Sequence, residues 1–97
     1  MREGEKQRSH VVVFVHGRDR PGIVAGIAGV LARANVNILD ISQTVMRGVF
    51  TMAMIVDLSA SGVSVSELRR LLEEEAERLG VEVSVHSVDV VRYMERP

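Results

Sequence analysis

The order in which two hydrophobic periodicities follow one another is the feature that most constrains the fold of this chain. Runs typical of strands and i, i+3, i+4 patterns typical of helices alternate in the order strand, helix, strand, strand, helix, strand. The predicted strands are His10–His16, Ile38–Met46, Val49–Leu58 and Val81–His86, and the predicted helices run from Pro21 to about Ala34 and from Ser64 to Leu79. This order predicts an α+β, ferredoxin-like βαββαβ sandwich, in which both helices cover one face of a four-stranded antiparallel sheet.

Side-chain patterns within the strands indicate their places in the sheet. The first and third strands are apolar on both faces, as expected of the two central strands of this topology, whereas the second is of mixed polarity and suits an edge. Helices on one face leave Val12, Phe14 and part of the third strand uncovered on the other. We therefore expect the C-terminal tail or another subunit to cover that face.

The two ends of the chain differ from its middle. Residues 1–9 are polar and charged without apolar periodicity, which predicts a flexible N-terminal tail ahead of a single domain over residues 10–97. After His86 the strand pattern changes phase, and Ser87 is suited to cap a short C-terminal helix. The apolar face of that helix consists of Val88, Val91 and Met94.

The composition excludes several classes of function. Twelve basic and thirteen acidic residues give a net charge of −1, and three aromatic residues offer no stacking platform, so we expect neither nucleic acid nor a membrane as a partner. The absence of cysteine removes disulfides and most zinc sites and fits a reducing, cytoplasmic location. His10, His16 and His86 lack metal-ligand spacing. We therefore expect no metal site and no cofactor.

The junction between the first strand and the first helix is the predicted working site. Asp19 stands where it can cap the helix start, and Pro21 suits a first turn because its missing N–H would have no partner there. Gly22 lets a ligand or another chain approach the backbone closely. Free amides at a helix start attract anions such as the carboxylate of an amino acid. The alternative is plain helix capping, in which these groups bind nothing.

Glycines recur along the first helix at helical spacing. Gly22, Gly26 and Gly29 each cost about 1 kcal/mol of helix propensity relative to alanine. A close approach of the helix to the sheet, to a partner subunit or to a ligand would offset that cost, and packing on the sheet is the simplest explanation.

Three segments resemble the ACT domain family, and in particular its small stand-alone members, over about residues 11–94. They are the turn Asp19-Arg20-Pro21-Gly22-Ile23, the strand entry Asn35-Val36-Asn37-Ile38-Leu39-Asp40-Ile41-Ser42-Gln43-Thr44, and the hairpin Met46-Arg47-Gly48-Val49-Phe50-Thr51-Met52. The resemblance implies a regulatory, amino-acid-binding fold that works as a homodimer or higher homo-oligomer, usually attached to an enzyme. No catalytic or DNA-binding domain accompanies it here, so a metabolic enzyme would be regulated in trans.

The resemblance also implies where a ligand would bind. In amino-acid-binding ACT domains the ligand lies between the first strand-to-helix turn of one subunit and the start of the second strand, often the partner's. The corresponding residues here are Asp19, Arg20, Pro21, Gly22 and Ile23 in the turn, with Asn37 and Ile38 in the strand. Asn37 offers both a donor and an acceptor to a ligand, or else it terminates the first helix. Asp40 is expected to pair with an arginine at a sheet edge.

Two other functions remain open on the sequence alone. One is a ligand-free protein-interaction module that regulates an enzyme in trans. The other is an acylphosphatase-like hydrolase, because Val15-His16-Gly17-Arg18 resembles the phosphate loop of that family. That family grips the acyl phosphate with an arginine at the start of its first helix, where this chain has Ala25. The sequence therefore predicts a non-catalytic domain.

Overall fold

The computed structural model describes residues 9–87, which form one four-stranded sheet and two helices. The elements are β1 (His10–Arg18), α1 (Ile23–Arg33), β2 (Asn37–Met46), β3 (Val49–Asp57), α2 (Val65–Leu79) and β4 (Val81–Ser87). The strands lie in the order β2-β3-β1-β4, and every neighbouring pair is antiparallel. The predicted ferredoxin-like βαββαβ fold is confirmed. The predicted C-terminal helix falls outside the described residues.

One face of the sheet and the inner sides of both helices form the core. Val11, Val13 and Val15 of β1 are fully buried and lie on the helix-covered face, with alternate residues of β3 beside them. The helices contribute their apolar stripes, namely Ile23, Ile27, Val30 and Leu31 from α1 and Leu68, Leu72, Ala76 and Leu79 from α2. The central positions predicted for the first and third strands follow from this arrangement.

The opposite face of the sheet is mixed rather than bare. Val12 is only 4% exposed, Phe14 is half-buried, and the rings of Phe14 and His86 form a T-shaped contact at a centroid distance of 5.6 Å. Polar side chains such as Glu82 and Ser84 share this face, because they pair with His16 and Phe14 in the register of β1 and β4.

Two boundaries differ from the sequence prediction. Helix α1 begins at Ile23, not Pro21, because Gly22 adopts a left-handed conformation with φ of 93° that no helical residue has. Ser9, predicted to belong to the flexible tail, is instead bonded to the sheet: its hydroxyl donates to Asp57 Oδ1 at 2.9 Å, and its carbonyl accepts from the Leu58 amide at 2.8 Å. The rest of the predicted tail lies outside the described residues.

Close packing between the helices explains one of the glycines in α1. A Cβ at Gly26 would lie 2.6 Å from Glu75 Oε2 and 2.9 Å from Leu79 Cδ1, so α2 approaches α1 closely at this residue. The close packing of α1 against α2 therefore offsets the helix-propensity cost of Gly26. Packing on the sheet, the simplest explanation from the sequence, is wrong for this position.

Strand β2 lies at an edge of the sheet and is poorly covered. The large exposed hydrophobic side chains of the described chain are all in β2 or at the start of β3: Leu39, Ile41, Val45, Met46 and Val49. A register shift between Ile38 and Asp40 interrupts its pairing with β3. Asp40 does not pair with an arginine as predicted, since its Oδ1 accepts from the Ile41 amide at 2.9 Å and no arginine among residues 9–87 forms an ion pair with it.

Candidate ligand-binding site

Two hydrogen bonds hold the turn between β1 and α1 against its neighbours. The Asp19 amide donates to the Gly48 carbonyl at 2.8 Å, which ties the turn to the β2–β3 hairpin. Arg20 Nη1 donates to the Leu79 carbonyl at 2.9 Å, at the C-terminal end of α2. A cation suits this position because the last carbonyls of a helix lack intrahelical partners. Arg20, predicted as a ligand contact, thus has a structural role that its sequence position did not indicate.

The first turn of α1 has backbone amides that no side chain caps. Gly22 is the N-cap, no side chain among residues 9–87 caps this end of the helix, and no acidic residue stands in its first turn. The expectation that Asp19 caps the helix is therefore wrong, because the helix starts four residues further on, at Ile23. Helix α2 shows the contrast, since its Ser64 hydroxyl accepts from the Glu67 amide at 3.1 Å in the predicted capping box.

Gly22 keeps the approach to these amides open. A Cβ at Gly22 would meet no atom of residues 9–87 within 4 Å, so these residues leave the Gly22 side of the helix start open. The positive φ restricts which residues can replace it, because a β-branched side chain is strained in that region. Ile23, which follows, is 2% exposed and its side chain packs in the core. The arrangement of free amides can accept a small anion.

The second half of the predicted site lies at the other end of the sheet. Asn37 pairs with Asp57, and Asp57 pairs with His10 at the start of β1. The turn that contains Asp19 follows Arg18 at the other end of β1, and the nine residues of β1 span about 30 Å. Asn37 is exposed and begins β2 rather than ending α1, and Ile38 is half-buried against the core. One copy of the chain does not bring the two halves together.

A hydrogen-bonded carboxylate lies at the Asn37 end of the sheet, where no site residue was predicted. Asp57 Oδ1 accepts from the Ser59 amide at 3.0 Å, and Oδ2 accepts from the Ser59 hydroxyl at 2.9 Å. The bond from the Ser59 amide, followed by those from the hydroxyls of Ser59 and Ser9, lowers the pKa of Asp57 below its ordinary value, although partial burial opposes the shift. His10 Nε2 lies 3.9 Å from the same carboxylate. An aspartate two residues before a serine is a turn signal that could have identified part of this cluster.

The segment that resembled a phosphate loop is a strand. His16, Gly17 and Arg18 belong to β1 and pair with Thr51, Phe50 and Val49 of β3. A Cβ at Gly17 would lie 2.9 Å from Val81 Cγ1, so this glycine serves the packing of β1 beside β4. The backbone amides of this segment are committed to strand pairing and do not form a phosphate-binding loop.

Residues 9–87 show neither a metal-binding cluster nor a membrane-spanning helix. No three of their histidine and carboxylate side chains come together as a metal-binding group. Neither of their helices has the length and hydropathy needed to cross a membrane.

The chain matches known proteins over most of its length. The family model of the ACT domain matches residues 9–86. A UPF0237 protein of Pyrobaculum aerophilum is 61% identical over 85 residues, which is 88% of this chain and 94% of the relative. The solved structure of an ACT domain protein from Streptococcus pneumoniae is 34% identical, with a TM-score of 0.74 over 91% of this chain and 96% of the other.

A more distant structure shares the fold alone. The regulatory subunit of aspartate kinase from Thermus thermophilus, in its ligand-free form, is 24% identical, with a TM-score of 0.64 over 81% of this chain and 51% of that one. The family model and the close relatives carry the assignment, and the element order and strand order of the fold agree with it. The chain therefore belongs to the ACT domain family.

Proposed function

We propose that this chain is a non-catalytic regulatory domain that works as a homodimer or higher homo-oligomer and binds a small, amino-acid-like ligand between subunits. Membership of the ACT family supports a regulatory role, and the regulatory subunit of aspartate kinase has the same fold. The observation that carries the proposal is the uncapped start of α1 behind the open Gly22. Its amides suit the carboxylate of such a ligand.

The positions of the two half-sites support an intersubunit site. The Asp19 turn and Asn37 lie at opposite ends of one sheet, so a complete site needs a second copy whose Asn37 lies near the first copy's turn. Strand β2 is suited to bind that copy, because it is an edge strand with exposed Ile41 and Val45. Antiparallel pairing of two β2 strands about a twofold axis near Ile41 would put the partner's start of β2 at the Met46 end of the first.

The ligand is to be identified by measuring thermal shift and calorimetric heats of the full chain with each of the standard amino acids. We expect a saturable response to one or a few of them, with an increase in Tm because the ligand binds the folded state alone. A flat response to all of them would contradict ligand binding. It would favour the alternative of a protein-interaction module that regulates an enzyme in trans through the exposed side chains of β2.

The proposal also predicts the absence of acylphosphatase activity. The arginine clamp is replaced by Ala25 and the loop-like segment is paired as strand, so nothing at this place holds an acyl phosphate in position. We expect the purified chain to release phosphate from acetyl phosphate at the rate of a buffer blank. Turnover that disappears in Arg18→Ala would refute the non-catalytic assignment.

A further inference from the structure

A cleft between the two helices is a second candidate binding site, separate from the turn before α1. The helices are in contact at Gly26, where Glu75 and Leu79 pack closely. Beyond that contact they leave a cleft with a volume of about 530 Å³. This volume is in the range of small-molecule pockets. Glu75 belongs both to this contact and to the lining of the cleft, so the cleft begins beside the contact.

The walls of the cleft are apolar and its rim is charged. The apolar lining consists of Val30, Ala34, Val63 and Leu71, and the charged lining of Arg33, Glu74, Glu75 and Arg78. Val30 is 6% exposed, whereas the other three apolar residues are half-buried. An apolar body of about the size of a leucine side chain would be desolvated by these walls.

One arginine on the rim has no hydrogen-bonded partner among the described residues. Glu75 accepts hydrogen bonds from Arg78, and Glu74 accepts from Arg70 Nη1 at 2.9 Å. The hydrogen bond from Arg78 and, to a smaller extent, the positive charges of Arg78 and Arg33 lower the pKa of Glu75, so Arg33 lies near that carboxylate, but it makes no hydrogen bond or ion pair with any of residues 9–87. Among residues 9–87, the cleft therefore has one arginine whose donors are free for a ligand, while each of its carboxylates already accepts a hydrogen bond from another arginine.

We infer that the cleft between α1 and α2 binds a small organic monocarboxylate with a branched apolar body, whose carboxylate pairs with Arg33 and whose body packs on Val30, Val63 and Leu71. The planar guanidinium can bind a carboxylate through two parallel hydrogen bonds. A free amino acid is a poorer match, because its ammonium group would find Glu74 and Glu75 already paired. This site is distinct from the proposed regulatory site and does not depend on it.

The test is a methyl NMR titration of the full chain with sodium 4-methylpentanoate. We expect saturable shifts at the methyl groups of Val30, Val63 and Leu71. The neutral isostere 4-methylpentanamide is expected to bind at least fivefold more weakly, and inorganic phosphate at equal ionic strength to leave these methyl groups unshifted. Equal binding of the acid and the amide would overturn the proposal, as would the absence of saturable shifts at these methyl groups.

Matched variants test the role of the cation. Arg33→Gln is expected to weaken binding at least fivefold, and Arg33→Lys by less, because lysine keeps the charge but loses the planar fork. Arg18→Gln removes the same charge from an exposed residue that does not line the cleft, and it should bind as the wild type does. Wild-type affinity in Arg33→Gln, or an equal loss in Arg18→Gln, would show that no specific anion pocket exists.

Discussion

Gly26 and Gly29 are equivalent in the sequence pattern but not in their surroundings. A Cβ at Gly26 would clash with Glu75 and with Leu79, and Leu79 is only 7% exposed and cannot move freely. A Cβ at Gly29 would meet only Nη1 of the exposed Arg33, at 3.3 Å. The same substitution should therefore act in opposite directions at the two positions.

We expect Gly26→Ala to lower the free energy of unfolding by about 1 kcal/mol or more, because overpacking outweighs the gain in helix propensity. Gly29→Ala, its matched control, is expected to raise that free energy by about 0.5–1 kcal/mol. Urea denaturation monitored by circular dichroism measures both changes. A gain of stability in both variants would mean that the helices are not closely packed at Gly26.

At the same scale, the Asp57 carboxylate makes the stability of the fold depend on pH. Its hydrogen bonds, that from the Ser59 amide first, lower its pKa in the folded state below the unfolded value of about 3.8. The ionised carboxylate therefore adds fully to the free energy of unfolding above that unfolded pKa, and this gain is lost as the pH falls through the lower pKa of the folded state. We expect the stability advantage of the wild type over Asp57→Asn to shrink as the pH is lowered below about 4. Ser59→Ala keeps the backbone amide bond and should retain most of this dependence. A difference in the free energy of unfolding between the wild type and Asp57→Asn that stays constant from pH 7 to pH 2 would contradict this pH dependence.

At the scale of elements, the sequence predicts those parts of the fold that depend on local pattern. The double-sided apolar patterns predict β1 and β3 as the central strands, and Ser64 with Glu67 predicts the start of α2. The start of α1 is misplaced because the left-handed conformation of Gly22 is set by the turn and has no periodicity of its own. The separation of the turn from Asn37 follows from the path of the chain, because α1 runs back along the sheet and β2 begins at the end where β1 began, as the predicted element order implies. The register shift between Ile38 and Asp40, in contrast, depends on contacts distant in the chain and is invisible in local sequence.

The exposed side chains of β2 allow a test of whether this strand forms the dimer interface. Val45 is 53% exposed and lies on the strand that we expect to pair with a second copy. Val45→Lys introduces a charge there, so we expect light scattering to show a monomer with a far-UV circular dichroism spectrum like that of the wild type, and a lower Tm because association no longer stabilises the fold. Ser84→Lys makes the matched change on β4, the opposite edge of the sheet, and should remain a dimer. A dimer that survives Val45→Lys would place the interface elsewhere.

At the scale of the whole molecule, ligand binding and assembly are one property in this proposal. Each site takes its amides from the turn of one copy and Asn37 from the other, because a single chain holds them at opposite ends of its sheet. A monomeric variant such as Val45→Lys should therefore lose ligand binding although it changes neither half-site. Retained binding in a proven monomer would show that the site lies within one copy.

Mixing two binding-defective variants tests this shared site most directly. Asparagine tolerates the left-handed backbone at position 22, and in Gly22→Asn its side chain blocks the approach to the amides of α1. Asn37→Ala removes the polar contacts that the start of β2 offers to the ligand. Each variant alone should bind no amino acid. After unfolding and refolding together, half of the dimers are mixed, and each of these has one undamaged site, so about a quarter of all sites should recover. Calorimetry with the amino acid that binds the wild type measures this fraction. No recovery in a mixture whose heterodimers are confirmed by mass spectrometry would mean that both residues act within the same subunit.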